Sequence, residues 1–339
     1  MRFAVNRYIL TLVFIMIPAG FPAALTNPLS GPCITGLTRT APYMAAGSIT
    51  TGYGWDSAGD TLTIPLRRAG NIFLLEAVVD GEKGYLVFDT GASGMVLNRT
   101  YFRDHVVLSK ELSSGVTGSV NEAERVNVET VGISGLRFNN LVADVANLGH
   151  IENRRGVKIL GLIGFAMLRN FEIVFDPQQN QLQLFRIDKK GARSNRNSSV
   201  FINDYTCNFT EKNSILFIST RLYGRIMTFC LDTGAETNVL DANVPREVLA
   251  SVTVTRRSTL NGAGTVTSDV LFGKMNGFIF GKRTLDNMDT VITILDALSE
   301  AYDKKIDGML GYSFLSKGVI CINFVKREFS IRFSNQTAE

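Results

Sequence analysis

The chain has 339 residues, 45% of them hydrophobic and 19% charged, with a formal net charge of +4. That length accommodates about two ordinary domains, each able to bury its own core, and so small a charge excludes the dense basic face that nucleic-acid binding needs. With only His105 and His150 in the chain, a His-Glu-x-x-His metal site is absent and a Ser-His-Asp triad has few candidates.

Residues 1–24 read as an export signal. Arg2 and Arg7 precede an apolar run from 8 to 17, followed by Pro18, Gly20, Pro22 and Ala23-Ala24. The run is too short for a bilayer, which takes about 20 apolar residues. The expected fate is a secreted or periplasmic protein without stable membrane insertion; an uncleaved anchor is the alternative. Pro32 before Cys33 argues against a lipoprotein cleavage site. Residues 25–60, rich in Gly, Ala, Thr and Pro, read as an extension that is partly ordered at best.

From 61 the pattern becomes all-β: apolar and β-branched runs at 61–66, 72–79 and 85–88, with a turn at Asp80-Gly81. The runs at 215–220 and 226–231, with a turn at Tyr223-Gly224, repeat it, and Gly81 and Gly224 are 143 positions apart. The string from Lys158 to Leu168 returns from Lys305 to Leu315, 147 positions on, with five of eleven residues identical. One position differs in kind, Leu160 against Asp307, which predicts looser anchoring in the first copy. Apolar hairpins close both halves, at 171–176 with 181–185 and at 319–324 with 328–333. The expected organisation is a first lobe over 61–186, a solvated basic linker over 187–199, a second lobe over 200–334 and a tail over 335–339. Four cysteines (Cys33, Cys207, Cys230, Cys321) permit two disulfides, although Cys230 and Cys321 lie in apolar strands that suit buried free thiols equally well. No Cys-x-x-Cys pair occurs, so no zinc site and no metal or other cofactor is expected.

The chemistry concentrates in one duplicated string. Val87-Phe88-Asp89-Thr90-Gly91-Ala92-Ser93 returns 143 positions later as Cys230-Leu231-Asp232-Thr233-Gly234-Ala235-Glu236. In each copy an apolar strand delivers a carboxylate into a tight turn and a second apolar strand leaves it. An unpaired charge at the buried end of a strand is costly, so two such ends facing each other make a device. Two carboxylates about 3 Å apart share one proton, which leaves one as base and the other as acid toward a water between them.

These loops resemble those of the aspartic proteases, the Asp-Thr-Gly-Ala form being closest to the retropepsin-like type, here with two lobes fused in one chain in the pepsin manner. The resemblance spans about residues 61–334. It implies a mostly β, bilobal fold with two pseudo-symmetric barrel-like lobes and a cleft between them. It implies an aspartic endopeptidase acting on a polypeptide or peptide as a monomer, with Asp89 and Asp232 catalytic and Thr90, Gly91, Thr233 and Gly234 supporting them. A catalytically inactive peptide-binding protein that keeps the fold is the alternative. Ser93 and Glu236 fall where retropepsins place a substrate-contacting aspartate, and the glycine-punctuated segments around Gly118 and around Gly262-Ala263 fall where such enzymes place a flap. Ala92 and Ala235 replace the hydroxyl that lowers a carboxylate pKa in pepsins, which predicts activity at mildly acidic to neutral pH.

Overall fold

The structure, a computed structural model, describes residues 52–55, 59–114, 120–195, 200–261 and 267–334. The expected signal segment, most of the expected extension and the flap residues Gly118, Gly262 and Ala263 lie outside them. The fold is mostly β and bilobal. One lobe is built on a nine-stranded sheet, the other on a ten-stranded sheet, and a six-stranded sheet joins them.

Matching strands show why the halves fold alike. Ile72–Val79 and Ile215–Leu222 have the same burial pattern, four buried residues followed by alternation. A strand turns successive side chains to opposite faces. Ile72 and Leu74 therefore enter a small cluster within the first lobe while Phe73, Leu75, Ala77 and Val79 enter the large central core. Ile215 and Phe217 are split from Leu216, Ile218 and Leu222 in the same way. Each strand then reverses through a two-residue turn, Val79 pairing with Glu82 and Leu222 with Arg225. Both central residues of each turn have positive φ (Asp80 46°, Gly81 87°; Tyr223 50°, Gly224 75°), the left-handed geometry that matches strand twist.

The six-stranded sheet departs from the sequence expectation. The strand Thr61–Pro65, expected to open the first lobe, pairs with Gln181–Arg186, the last strand of that lobe's expected range, at the edge of this sheet. The two closing hairpins join at its centre, where Phe171–Asp176 runs antiparallel to Gly318–Asn323. Ile173, Phe175, Ile320 and Ile322 face the central core, so one hydrophobic cluster spans both lobes. Residues 52–55, read as part of an extension, form an edge strand on Leu136–Ala146.

The segment after 186 is not simply solvated. Asp188 Oδ1 accepts the Lys190 and Ala192 N–H groups at 2.8 and 2.9 Å, folding the chain back so that Arg193 reaches Glu172 at 2.6 Å across the face of Phe185. Glu172 is buried, and its second oxygen accepts from Asn323 Nδ2 at 2.9 Å. A buried ion pair persists only when its remaining hydrogen-bonding capacity is also met, and Asn323 meets it here. Among the described residues Cys207, Cys230 and Cys321 are free, and no helix is long and apolar enough to cross a membrane.

Candidate active site

Each Asp-Thr-Gly loop hangs from a strand that starts exposed and whose last three residues are all buried. Glu82–Phe88 leads to Asp89, and Arg225–Leu231 leads to Asp232. Behind each loop runs the second repeated element. Ile159–Ile163 lies parallel to the incoming strand and antiparallel to the outgoing strand Met95–Asn98. Gly308–Leu310 does the same between Arg225–Leu231 and Asn238–Asp241. The Asp89 N–H donates to Ile163 O and the Asp232 N–H to Leu310 O, both at 3.0 Å, so each aspartate's backbone is fixed by its own prop.

The props are themselves held by the same geometry with different residues. Asn98 Oδ1 accepts the Leu148 N–H at 3.3 Å, and Asp241 Oδ1 accepts the Leu295 N–H at 3.1 Å. Glu152 receives the Ile159 N–H, and Ser299 Oγ the Ile306 N–H, both at 3.1 Å. Asp307 accepts the Thr228 N–H at 2.8 Å. Leu160 has no carboxylate to offer, but the Lys158 carbonyl receives the corresponding Tyr85 N–H at 3.0 Å, so a main-chain acceptor stands in and the expected loosening of the first loop's anchor has a substitute.

The two loops grip each other through their threonines. The Thr90 N–H donates to Thr233 Oγ1 at 3.0 Å, and that hydroxyl donates to Phe88 O at 2.6 Å. Reciprocally, the Thr233 N–H donates to Thr90 Oγ1 at 2.9 Å, and Thr90 Oγ1 donates to Leu231 O at 3.0 Å. All four bonds are buried and cross from one lobe to the other. Gly91 and Gly234 permit the close approach: a Cβ on Gly91 would lie 2.7 Å from Asp232 Cγ, and one on Gly234 would lie 2.7 Å from Asp89 Cγ.

Asp89 and Asp232 are both 0% exposed. One oxygen of each is satisfied within its loop, Asp89 Oδ1 by the Gly91 N–H at 2.9 Å and Asp232 Oδ1 by the Gly234 N–H at 2.8 Å. Among the described residues neither Oδ2 has a hydrogen-bond partner outside the pair. Two ionised carboxylates are acceptors only, so a direct bond between the two side chains requires a proton on one of them. Burial raises the Asp89 pKa to about 6, partly offset by hydrogen bonds from Asp232 and from the Gly91 and Ala92 N–H groups. Burial and then the charge of Asp89 push Asp232 well above the usual carboxylate range. These displacements belong to the pair. The arrangement keeps one proton between two carboxyls around neutral pH, and it can present a base and an acid to the same small molecule.

The remaining expected site residues are placed differently. Ser93 is half-buried at the end of its loop. The Glu236 carboxylate is engaged by Arg155 of the other lobe, with Arg154 Nη2 at 4.0 Å, and its main-chain oxygen accepts from Asn71 Nδ2 at 3.1 Å. Sequence reasoning missed Arg155 and Asn71, because nothing local in Asn153-Arg154-Arg155-Gly156 distinguishes a cross-lobe partner from ordinary basic residues in the last turn of a helix. The hairpins bearing the expected flaps are present as paired strands, Val107–Ser114 with Val120–Ile133 and Val252–Asn261 with Thr267–Met275. His105 bonds Asp80 at 2.9 Å, and among the described residues no group of three or more His, Cys, Asp or Glu is placed to hold a metal.

Twin Asp-Thr-Gly loops thus face each other between the two lobes of a mostly β fold. Residues 75–167 match the aspartyl protease family model. The fold is similar to that of the aspartic proteinase from Irpex lacteus, with a TM-score of 0.50 at 13% identity over 82% of this chain and 100% of that one. Basic 7S globulin from soybean aligns with a TM-score of 0.49 at 8% identity over 81% of this chain and 95% of that one. No curated protein matches the sequence at a significant level. The family signature covers part of the first lobe, and the bilobal fold of the chain is similar to that of an aspartic proteinase.

Proposed function

We propose that the protein is an active aspartic endopeptidase in which Asp89 and Asp232 are the catalytic pair. The observation that carries this is the state of the two carboxyls. Each is fully buried with one oxygen bonded in its own loop and the other left for its partner, which serves chemistry and costs stability. The ionised member takes a proton from a water bound between the two, and the resulting hydroxide attacks the peptide carbonyl carbon. The protonated member gives its proton to the carbonyl oxygen, forming a neutral tetrahedral diol. As the C–N bond breaks, the diol returns a proton to one carboxylate and the amide nitrogen takes one from the other carboxyl. An acid and an amine leave, and the singly protonated pair is restored. No cofactor enters. Since both loops belong to one chain, a monomer suffices, and the basic-then-apolar residues 1–24 support export as its route.

The test is cleavage of a mixed peptide library by the wild type and by Asp89→Asn and Asp232→Asn, read by mass spectrometry. Each variant is expected to lose cleavage, and full activity in both overturns the assignment. A wild type that binds peptides without cutting them favours the peptide-binding alternative.

A further inference from the structure

We infer that Arg155 and Glu236 form a one-sided lock between the lobes that positions the loop carrying Asp232, a role that rests on the peptidase reading. Glu236 lies four residues beyond Asp232 in the same loop. The first lobe holds it at both ends, Arg155 on the carboxylate and Asn71 on the main-chain oxygen. The Arg155 and Glu236 side chains are only 12% and 11% exposed, so solvent does little to screen them.

The first lobe is shaped around this contact. Arg155 ends the helix Gly149–Arg155, and Gly156 caps it in the left-handed conformation (φ 64°) with its N–H on Glu152 O at 2.8 Å. Leu148 and Ile151 anchor that helix in the lobe's own core cluster. The guanidinium passes over the turn at Gly70 (φ 68°), where any Cβ would collide with it, and the next residue in that turn is Asn71.

The lock has no counterpart across the pseudo-twofold. The 143-residue offset puts Ser93 where Glu236 stands, and the 147-residue offset puts Tyr302 where Arg155 stands. Tyr302 turns inward instead, fully buried in the second lobe with its ring 5.9 Å from Phe217. A feature needed only for folding a lobe would recur in both halves, as the props do. This one fixes a single loop against the other lobe. Glu236 and Asp232 share that loop, so freeing Glu236 shifts the carboxyl that Gly234 holds.

The lock and a substrate contact at Glu236 differ in kinetics. Truncating a positioning group lowers kcat at similar KM, whereas truncating a ground-state substrate contact raises KM. The experiment uses the full chain, a peptide recovered from the library, and the variants Arg155→Met, Arg155→Lys, Glu236→Gln and the Arg155→Met/Glu236→Gln double. Arg155→Met is expected to lower kcat about 10- to 100-fold, as a displacement approaching 1 Å does, with KM within about twofold. Arg155→Lys should recover much of that loss. The double variant should exceed Arg155→Met, because it leaves no buried carboxylate with only the more exposed Arg154, at 4.0 Å, to face it. A raised KM at unchanged kcat, or a double variant no better than Arg155→Met, overturns the lock. If the wild type cleaves no peptide, the peptidase reading fails separately. The same four variants then form a double-mutant cycle in thermal unfolding, in which coupled shifts support the pair and additive shifts overturn it.

Discussion

Replacing Thr233 by valine tests whether the threonine grip sets the dyad. The substitution is nearly isosteric, so it removes one oxygen and little volume. It strips the Thr90 N–H of its acceptor and the Phe88 carbonyl of its hydroxyl donor, both deep between the loops. An orphaned buried polar group costs about 1–3 kcal/mol, so two cost about 4 kcal/mol at the middle of that range. For a chain of this size each kcal/mol moves Tm by about 2 °C, which predicts a fall of about 8 °C by scanning calorimetry or circular dichroism. Thr233→Ser keeps the oxygen and should recover most of that fall. Thr90→Val orphans the Thr233 N–H and the Leu231 carbonyl, the mirror pair, and should cost a similar amount. Peptide turnover should drop more steeply than stability, because the grip spaces the two carboxyls. A Thr233→Val protein with Tm within about 2 °C of wild type and unchanged kcat refutes the reasoning.

Two further outcomes follow from the same geometry. Gly234→Ala places a methyl 2.7 Å from Asp89 Cγ and must drive the carboxyls apart; it should cut kcat at least tenfold while costing about 1–3 kcal/mol of stability, as overpacking does. The Asp89 pKa, raised from 3.8 to about 6, means the folded protein binds that proton more tightly than the unfolded chain. Its stabilising contribution is therefore full below pH 3.8 and is lost as pH rises through about 6. The singly protonated pair forms over the same span, so kcat/KM should climb toward a plateau above about pH 6 while Tm declines; an optimum near pH 2 contradicts the chemistry proposed for the pair.

What the sequence disclosed is what repeats locally. Asp-Thr-Gly with its flanking apolar strands, the Asp80-Gly81 and Tyr223-Gly224 turns, and the Gly-x-x-Gly props are short strings whose spacing is conserved between halves, and the structure builds both lobes from them. What stayed hidden depends on pairing between distant residues. Asn323 and Glu172 meet across 151 positions, and Thr61–Pro65 pairs with Gln181–Arg186 at the far end of its own lobe's sequence. Even the duplication conceals some equivalences, because Asn98 and Asp241, or Glu152 and Ser299, do one job with different chemistry. Glu236 was singled out by resemblance, but the arginine that engages it was not, since its counterpart in the repeat is a buried tyrosine.

The central antiparallel pair of Phe171–Asp176 and Gly318–Asn323 carries a consequence for the chain as a polymer. Separating the halves at the linker would leave each fragment with a bare apolar edge and an open share of a common interior. Such fragments would seek each other, or a second copy of themselves, before they were stable alone. The two lobes repeat one plan, yet they close on one common sheet and one common interior.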